Sequence, residues 1–152
     1  MLRLALYQPD IPQNTGAMIR LAACLGAGVE IIEPCGFILD DARIRRVHMD
    51  YIDLVKITRH AGLAELRAAY PNINGARHVL LAPQGEVSIY DFTFRADDIL
   101  IMGPESKTTL PELIAHADVV LRIPMIAGAR SLNVASAAAI ALGEARRQCP
   151  VD

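Results

Sequence analysis

The sequence predicts an α/β protein: a mainly parallel sheet flanked by helices. Three observations carry that reading. Short apolar segments of strand character alternate with segments whose apolar residues recur at helical spacing. One of the former, "DDILIMG" from Asp97 to Gly103, holds four apolar residues in succession, as a strand covered on both faces does. No internal repeat, low-complexity tract or linker divides the 152 residues, so 1–152 reads as a single domain.

Each element has its own justification. "LRLALY" (Leu2 to Tyr7) is the first strand and "QPDIPQN" the loop after it. From Asn14 the pattern turns helical, with Ala17, Met18, Leu21, Ala22 and Leu25 on one face, and Gly26 and Gly28 punctuate its end. "VEIIEP" is a second strand stopped by Pro34, and "DDARIRRV" a short helix with acidic residues in its first turn, where the helix dipole favours them. "LVKIT" is a weaker strand, and "LAELRAAY" an amphipathic helix ending before Pro71. "HVLLAP" and "DDILIMG" are strands, "LPELIAHA" a short helix, "DVVLRIP" the last strand and Leu132 to Gln148 the final helix.

Composition narrows the class. A hydrophobic content of 53% with 21% charged residues excludes a disordered chain. The mean hydropathy of +0.29 exceeds what one small core hides, which points to a homo-oligomer. Cys24, Cys35 and Cys149 form no CxxC pair, so neither a disulfide framework nor a zinc site is expected, and a reducing cytoplasm is. The N-terminal apolar run is too short for a signal peptide, and the uncharged stretch from Ser131 to Gly143 falls short of the roughly 20 residues that span a bilayer. A soluble protein is expected. Net charge is −2, yet Arg43, Arg45 and Arg46, then Lys56, Arg59 and His60, concentrate positive charge. They form either a local basic face for nucleic acid or a solvated surface.

Ligands in open α/β sheets bind beyond the carboxyl ends of strands. Three late strands run into loops carrying both Gly and Pro: "LLAPQGE", "IMGPESKTTLP" and "RIPMIAGARSLN". They are three ordinary turns or one shared pocket. The glycine fingerprints of dinucleotide and P-loop sites are absent, as are H-E-x-x-H and any Cys/His cluster, so no metal is expected. Without G-x-S-x-G, Ser131 lacks a nucleophile elbow and reads as a helix cap or ligand contact. In "PQNTGAMIR", Asn14 or Thr15 can cap a helix, with Arg20 one turn beyond Gly16. That N-terminus is an anion site or simply a capped helix with a surface Arg.

Taken together, "PQNTGAMIRLAACLG", "LIMGPES" followed by "LP", and "RIPMIAGARSLNVASAAAIALGEARRQ" resemble the three motifs of the SpoU branch of the SPOUT RNA methyltransferases. Between them, "IIEPCGFILDDARIRRVHMDY" and "TRH" resemble the small, single-domain tRNA (cytidine/uridine-2'-O-)-methyltransferases that act at the wobble nucleotide. The resemblance covers nearly the whole chain. It implies an α/β knot with a C-terminal trefoil, S-adenosylmethionine (SAM) as cofactor, a tRNA substrate and a homodimer with the tRNA site across two protomers. It further implies SAM contacts at Leu81, Gly103, Ile123 and Ser131, a catalytic Arg20 near the reacting ribose, and loop-ordering roles for Asn14, Glu105 and Asn133. After Gly-Pro-Glu the family has a small residue, a basic residue and Gly-Leu-Pro; here Ser106-Lys107-Thr108-Thr109-Leu110-Pro111 departs from it. That departure motivates the alternative of a non-catalytic RNA-binding module on the same scaffold.

Overall fold

In a computed structural model that describes residues 1–39, 51, 54–106 and 111–151, the chain runs as β1 (Arg3–Tyr7), α1 (Pro12–Cys24), β2 (Gly28–Ile32), β3 (Ile57–His60), α2 (Leu63–Ala69), a 3-10 turn (Asn72–Asn74), β4 (His78–Leu81), β5 (Val87–Ser88), β6 (Ile99–Met102), α3 (Pro111–His116), β7 (Val119–Arg122) and α4 (Val134–Gln148). The helix expected over "DDARIRRV" lies outside the described residues, as do Arg43, Arg45 and Arg46.

The strands form one seven-stranded sheet in the order β3-β2-β1-β6-β4-β7-β5, and every neighbouring pair is parallel. Side chains alternate across it with period two. Leu4 and Leu6 of β1 face α1 and α4, in a core with Met18, Ile19, Ala138, Leu142 and Ala145. Ala5 and Tyr7 face the other way, in a core with Leu66 of α2 and Leu113 of α3. Both faces are therefore covered, which is why β6 is apolar at every position.

Two helix starts differ from expectation. Helix α1 begins at Pro12, not near Asn14: proline's fixed φ and missing N–H suit the first helical turn. Ile11 is its N-cap and makes no side-chain cap bond, while the buried Thr15 turns its hydroxyl back to the Ile11 carbonyl at 3.2 Å. Helix α4 begins at Val134, and its cap is Asn133, not Ser131. The Asn133 side chain accepts the N–H groups of Ala135 (2.9 Å) and Ser136 (3.3 Å). The two-residue β5 carries too little pattern to be seen in sequence.

Strand order positions the site. Because β6, β4 and β7 are neighbours and parallel, the three Gly- and Pro-bearing loops leave the same sheet edge side by side. Leu81 of β4 and Val87 of β5 both pair with Leu121, so β5 starts level with the point where β4 stops. The step over 82–86 thus crosses the carboxyl end of β7 instead of returning along the sheet. Arg122 ties it down, donating to the carbonyls of Gly85 (3.1 Å) and Glu86. Opposite, Arg146 of α4 caps the end of α1 through the carbonyls of Leu25 (2.6 Å) and Gly26 (2.5 Å).

Candidate active site

The three loops enclose a cavity of about 770 Å³. The loop after β4 supplies Leu81, Pro83 and Gln84, that after β6 supplies Gly103 through Ser106, and that after β7 supplies Ile123, Met125 and Arg130 through Asn133. Helix α1 closes one side with Asn14. The structure thus brings Leu81, Gly103, Ile123, Ser131, Asn14, Glu105 and Asn133 to one concavity. Arg20 is not among its lining residues: it lies on the exposed face of α1.

Sequence-distant contacts hold these loops. Asn133 donates its amide to the Asn14 side-chain oxygen at 3.1 Å, so one residue caps α4 and ties it to α1. Arg20 lies over the Tyr51 ring, 4.7 Å from its centroid, and donates to the phenol oxygen at 3.3 Å. Glu105 is tied to the loop after β1. Its Oε2 accepts the Asp10 N–H at 3.0 Å, and its own N–H donates to the Asp10 carboxylate at 3.2 Å. Burial, reinforced by the Asp10 carboxylate, pushes the Glu105 carboxyl above its ordinary range. The hydrogen bond with Glu105 holds the Asp10 carboxyl below its own. Glu105 Oε1 is buried and has no hydrogen-bond partner among the described residues.

These residues fit a flat, mostly apolar group with polar ends. Leu81, Met102, Ile123 and Leu132 supply apolar walls, and Gln84, Ser131 and Glu105 are polar residues of the lining. An adenine nucleoside with a charged tail has that distribution. Among the described residues no three His, Cys, Asp or Glu side chains converge.

Sequence reading missed Asp10 and Tyr51. Asp10 sat in a loop with no motif to mark it, and Tyr51 meets Arg20 only through tertiary folding. The structure narrows the basic reading of "KITRH". His60 is buried against Glu30 at 2.7 Å, and Arg59 is ion-paired with Glu33. Within that stretch Lys56 remains exposed.

The chain matches the SpoU rRNA Methylase family over residues 1–143. A tRNA (cytidine(34)-2'-O)-methyltransferase of Beijerinckia indica subsp. indica is 52% identical over 145 residues, 95% of this chain and 90% of that protein. Its counterpart from Escherichia coli strain K12 is 38% identical over 151 residues, 97% and 94% of the two chains. Among solved structures, one giving "Structural insights into the 2-OH methylation of C/U34 on tRNA" superimposes with a TM-score of 0.89 at 42% identity, covering 98% of this chain and 96% of that one. The SpoU methyltransferase AviRb from Streptomyces viridochromogenes, in complex with AdoMet, superimposes with a TM-score of 0.86 at 26% identity. It covers 98% of this chain and 58% of AviRb.

Proposed function

The chain belongs to the SpoU methylase family, and from that premise we propose that it transfers the methyl group of SAM to the ribose 2'-hydroxyl of the wobble cytidine or uridine, nucleotide 34, in the tRNA anticodon loop. One observation carries this reading: the loops after β4, β6 and β7 converge on a single cavity of nucleoside size. Its relatives share this architecture, the α/β fold of the SPOUT knot family, and one of them was solved with AdoMet bound.

In this reading Leu81 and Ile123 would supply apolar walls for the cofactor, Gly103 its backbone groups and Ser131 a hydroxyl. The cofactor supplies a methyl group on an electrophilic sulfonium. The protein's task is placement, bringing the 2'-hydroxyl to about 3–3.5 Å in line with that carbon. The Arg20 guanidinium, a cationic fork of donors, serves as a ligand for the ribose or its phosphate and favours the ionised hydroxyl, whose proton passes to solvent. Its exposed position outside the cavity wall suits an RNA that approaches from solvent. A homodimer belongs to the same reading. Ile126 on the loop after β7 and Ile140 on α4 are exposed, and a second protomer would cover them. The proposed location is the cytoplasm, where Cys24, Cys35 and Cys149 stay reduced.

Incubation with unmodified tRNA and labelled SAM, followed by nucleoside mass spectrometry, tests this. The expected product is 2'-O-methylcytidine or 2'-O-methyluridine at position 34. Protein that binds SAM but methylates no tRNA would overturn the reading. Arg20→Ala is expected to lower kcat by roughly 100-fold with SAM affinity unchanged, as loss of a charged group at the reacting hydroxyl does. Undiminished methylation would remove Arg20 from the site.

A further inference from the structure

We infer that Asp10 is a positioning residue for the methyl-transfer site: it clasps the loop after β6 and so fixes Glu105 in the wall of the cavity. The inference rests on the reading of that cavity as the SAM site. Its evidence is a reciprocal set of bonds between residues 95 positions apart.

An ionised carboxylate only accepts, and Asp10 accepts three times. Its Oδ1 takes the Glu105 N–H at 3.2 Å, and its Oδ2 takes the Ser106 N–H at 3.3 Å and the Ser106 hydroxyl. Its own backbone N–H donates to Glu105 Oε2 at 3.0 Å. One residue thus orders both the backbone and the side chain of the loop. Glu105 Oε2 is consumed by the clasp. Glu105 Oε1 is buried and has no hydrogen-bond partner among the described residues, while Glu105 as a residue lines the cavity.

The clasp itself is braced. A Cβ on Gly36 would stand 2.6 Å from the Asp10 Cβ, so only glycine lets the chain after β2 pack here. Gly36 donates its N–H to the Pro9 carbonyl at 2.9 Å. Gln8, with φ of 44°, sits in the left-handed region and donates to the Ile32 carbonyl at 2.8 Å. A non-glycine residue held there is strained, and its neighbours must over-determine it. Asp10 is therefore a fixed anchor, and the loop carrying Glu105 is what it orders.

A double-mutant cycle on SAM affinity tests the inference, read by titration calorimetry with SAM alone and with thermal midpoints recorded for every variant. Asp10→Ala is expected to raise the Kd for SAM about tenfold in the native background and about twofold or less beside Glu105→Ala, the coupling of residues that act as a unit. Asp10→Asn, nearly isosteric but uncharged, is expected to fold as the parent does and to show the same coupling at about threefold. Equal losses in both backgrounds, or losses that follow the thermal midpoint alone, would reduce Asp10 to a structural residue and overturn the inference. An unchanged Kd in both Asp10 variants would overturn it as well. Failure of the unmutated protein to bind SAM would instead overturn the cofactor reading. SAM binding without tRNA methylation would overturn the substrate reading alone.

Discussion

Asn133 serves two elements through one amide. Its oxygen accepts two N–H groups at the start of α4, and its nitrogen donates to Asn14 in α1. Asn133→Ala removes both, and unfolding in denaturant is expected to show a loss of about 1–2 kcal/mol, the cost of a deleted cap. Asn133→Asp keeps the cap, and most of that loss is expected to be recovered. An alanine variant as stable as its parent would show that the cap carries no stability. At this scale the sequence held the right residue types in the wrong assignment. Ser131, Asn133, Asn14 and Thr15 are all good N-cap residues. The choice among them depended on where the backbone turned helical, which for α1 was decided by Pro12. The motif resemblance named Asn133 for loop ordering, whereas the capping rule applied to the sequence offered Ser131 as a cap or a ligand contact.

Element packing creates a second polar cluster, remote from the cavity loops, where α3 ends and β4 and β7 begin. His78, fully buried, sets one ring nitrogen 2.9 Å from the Tyr70 carbonyl and the other 2.7 Å from Nε2 of His116. A carbonyl only accepts, so His78 Nε2 carries a proton and its Nδ1 accepts from His116 when both rings are neutral. Burial, with the positive charge of Arg67 beside it, lowers the His78 pKa; the Tyr70 carbonyl and Asp118 oppose this. Burial likewise pushes His116 down to about 4, with His78 and Arg67 adding to it and Asp118 opposing. Both groups bind protons more readily when unfolded. Between about pH 6.5 and about pH 4 the unfolded chain therefore holds more protons, and stability falls as pH falls. Thermal midpoints are expected to drop by several degrees across that window. His116→Gln, which keeps a donor toward His78, is expected to flatten the drop, and an identical slope in that variant would count against the pair. Nothing in the sequence pairs His78 with His116. The strand reading of "HVLLAP" placed His78 correctly, but its partner arrives through the parallel pairing of β4 with β7.

Over the whole molecule, the crossing of residues 82–86 above β7 decides where everything at the site can be. A Cβ on Gly85 would stand 2.4 Å from the Leu121 carbonyl carbon and 2.7 Å from the Arg122 nitrogen. These are backbone atoms that cannot rotate away. Gly85→Ala is expected to cost about 3 kcal/mol or more by overpacking and to abolish SAM binding together with stability. A variant with native stability and SAM affinity would show that the crossing can relax. By itself the sequence determined the alternation of strands and helices, the apolar strands and the composition of the three loops. Those follow from local periodicity and from the backbone preferences of Gly and Pro. The ordered motifs also told which family the loops belong to. Only tertiary structure decided that β6, β4 and β7 lie side by side, that Asp10 meets Glu105, and that Tyr51 rather than the cavity wall meets Arg20. The physical reason is one of range. Helix and strand signals are written within a few residues, whereas strand order and cross-loop hydrogen bonds join positions dozens of residues apart, and burial on both faces of the sheet selects them.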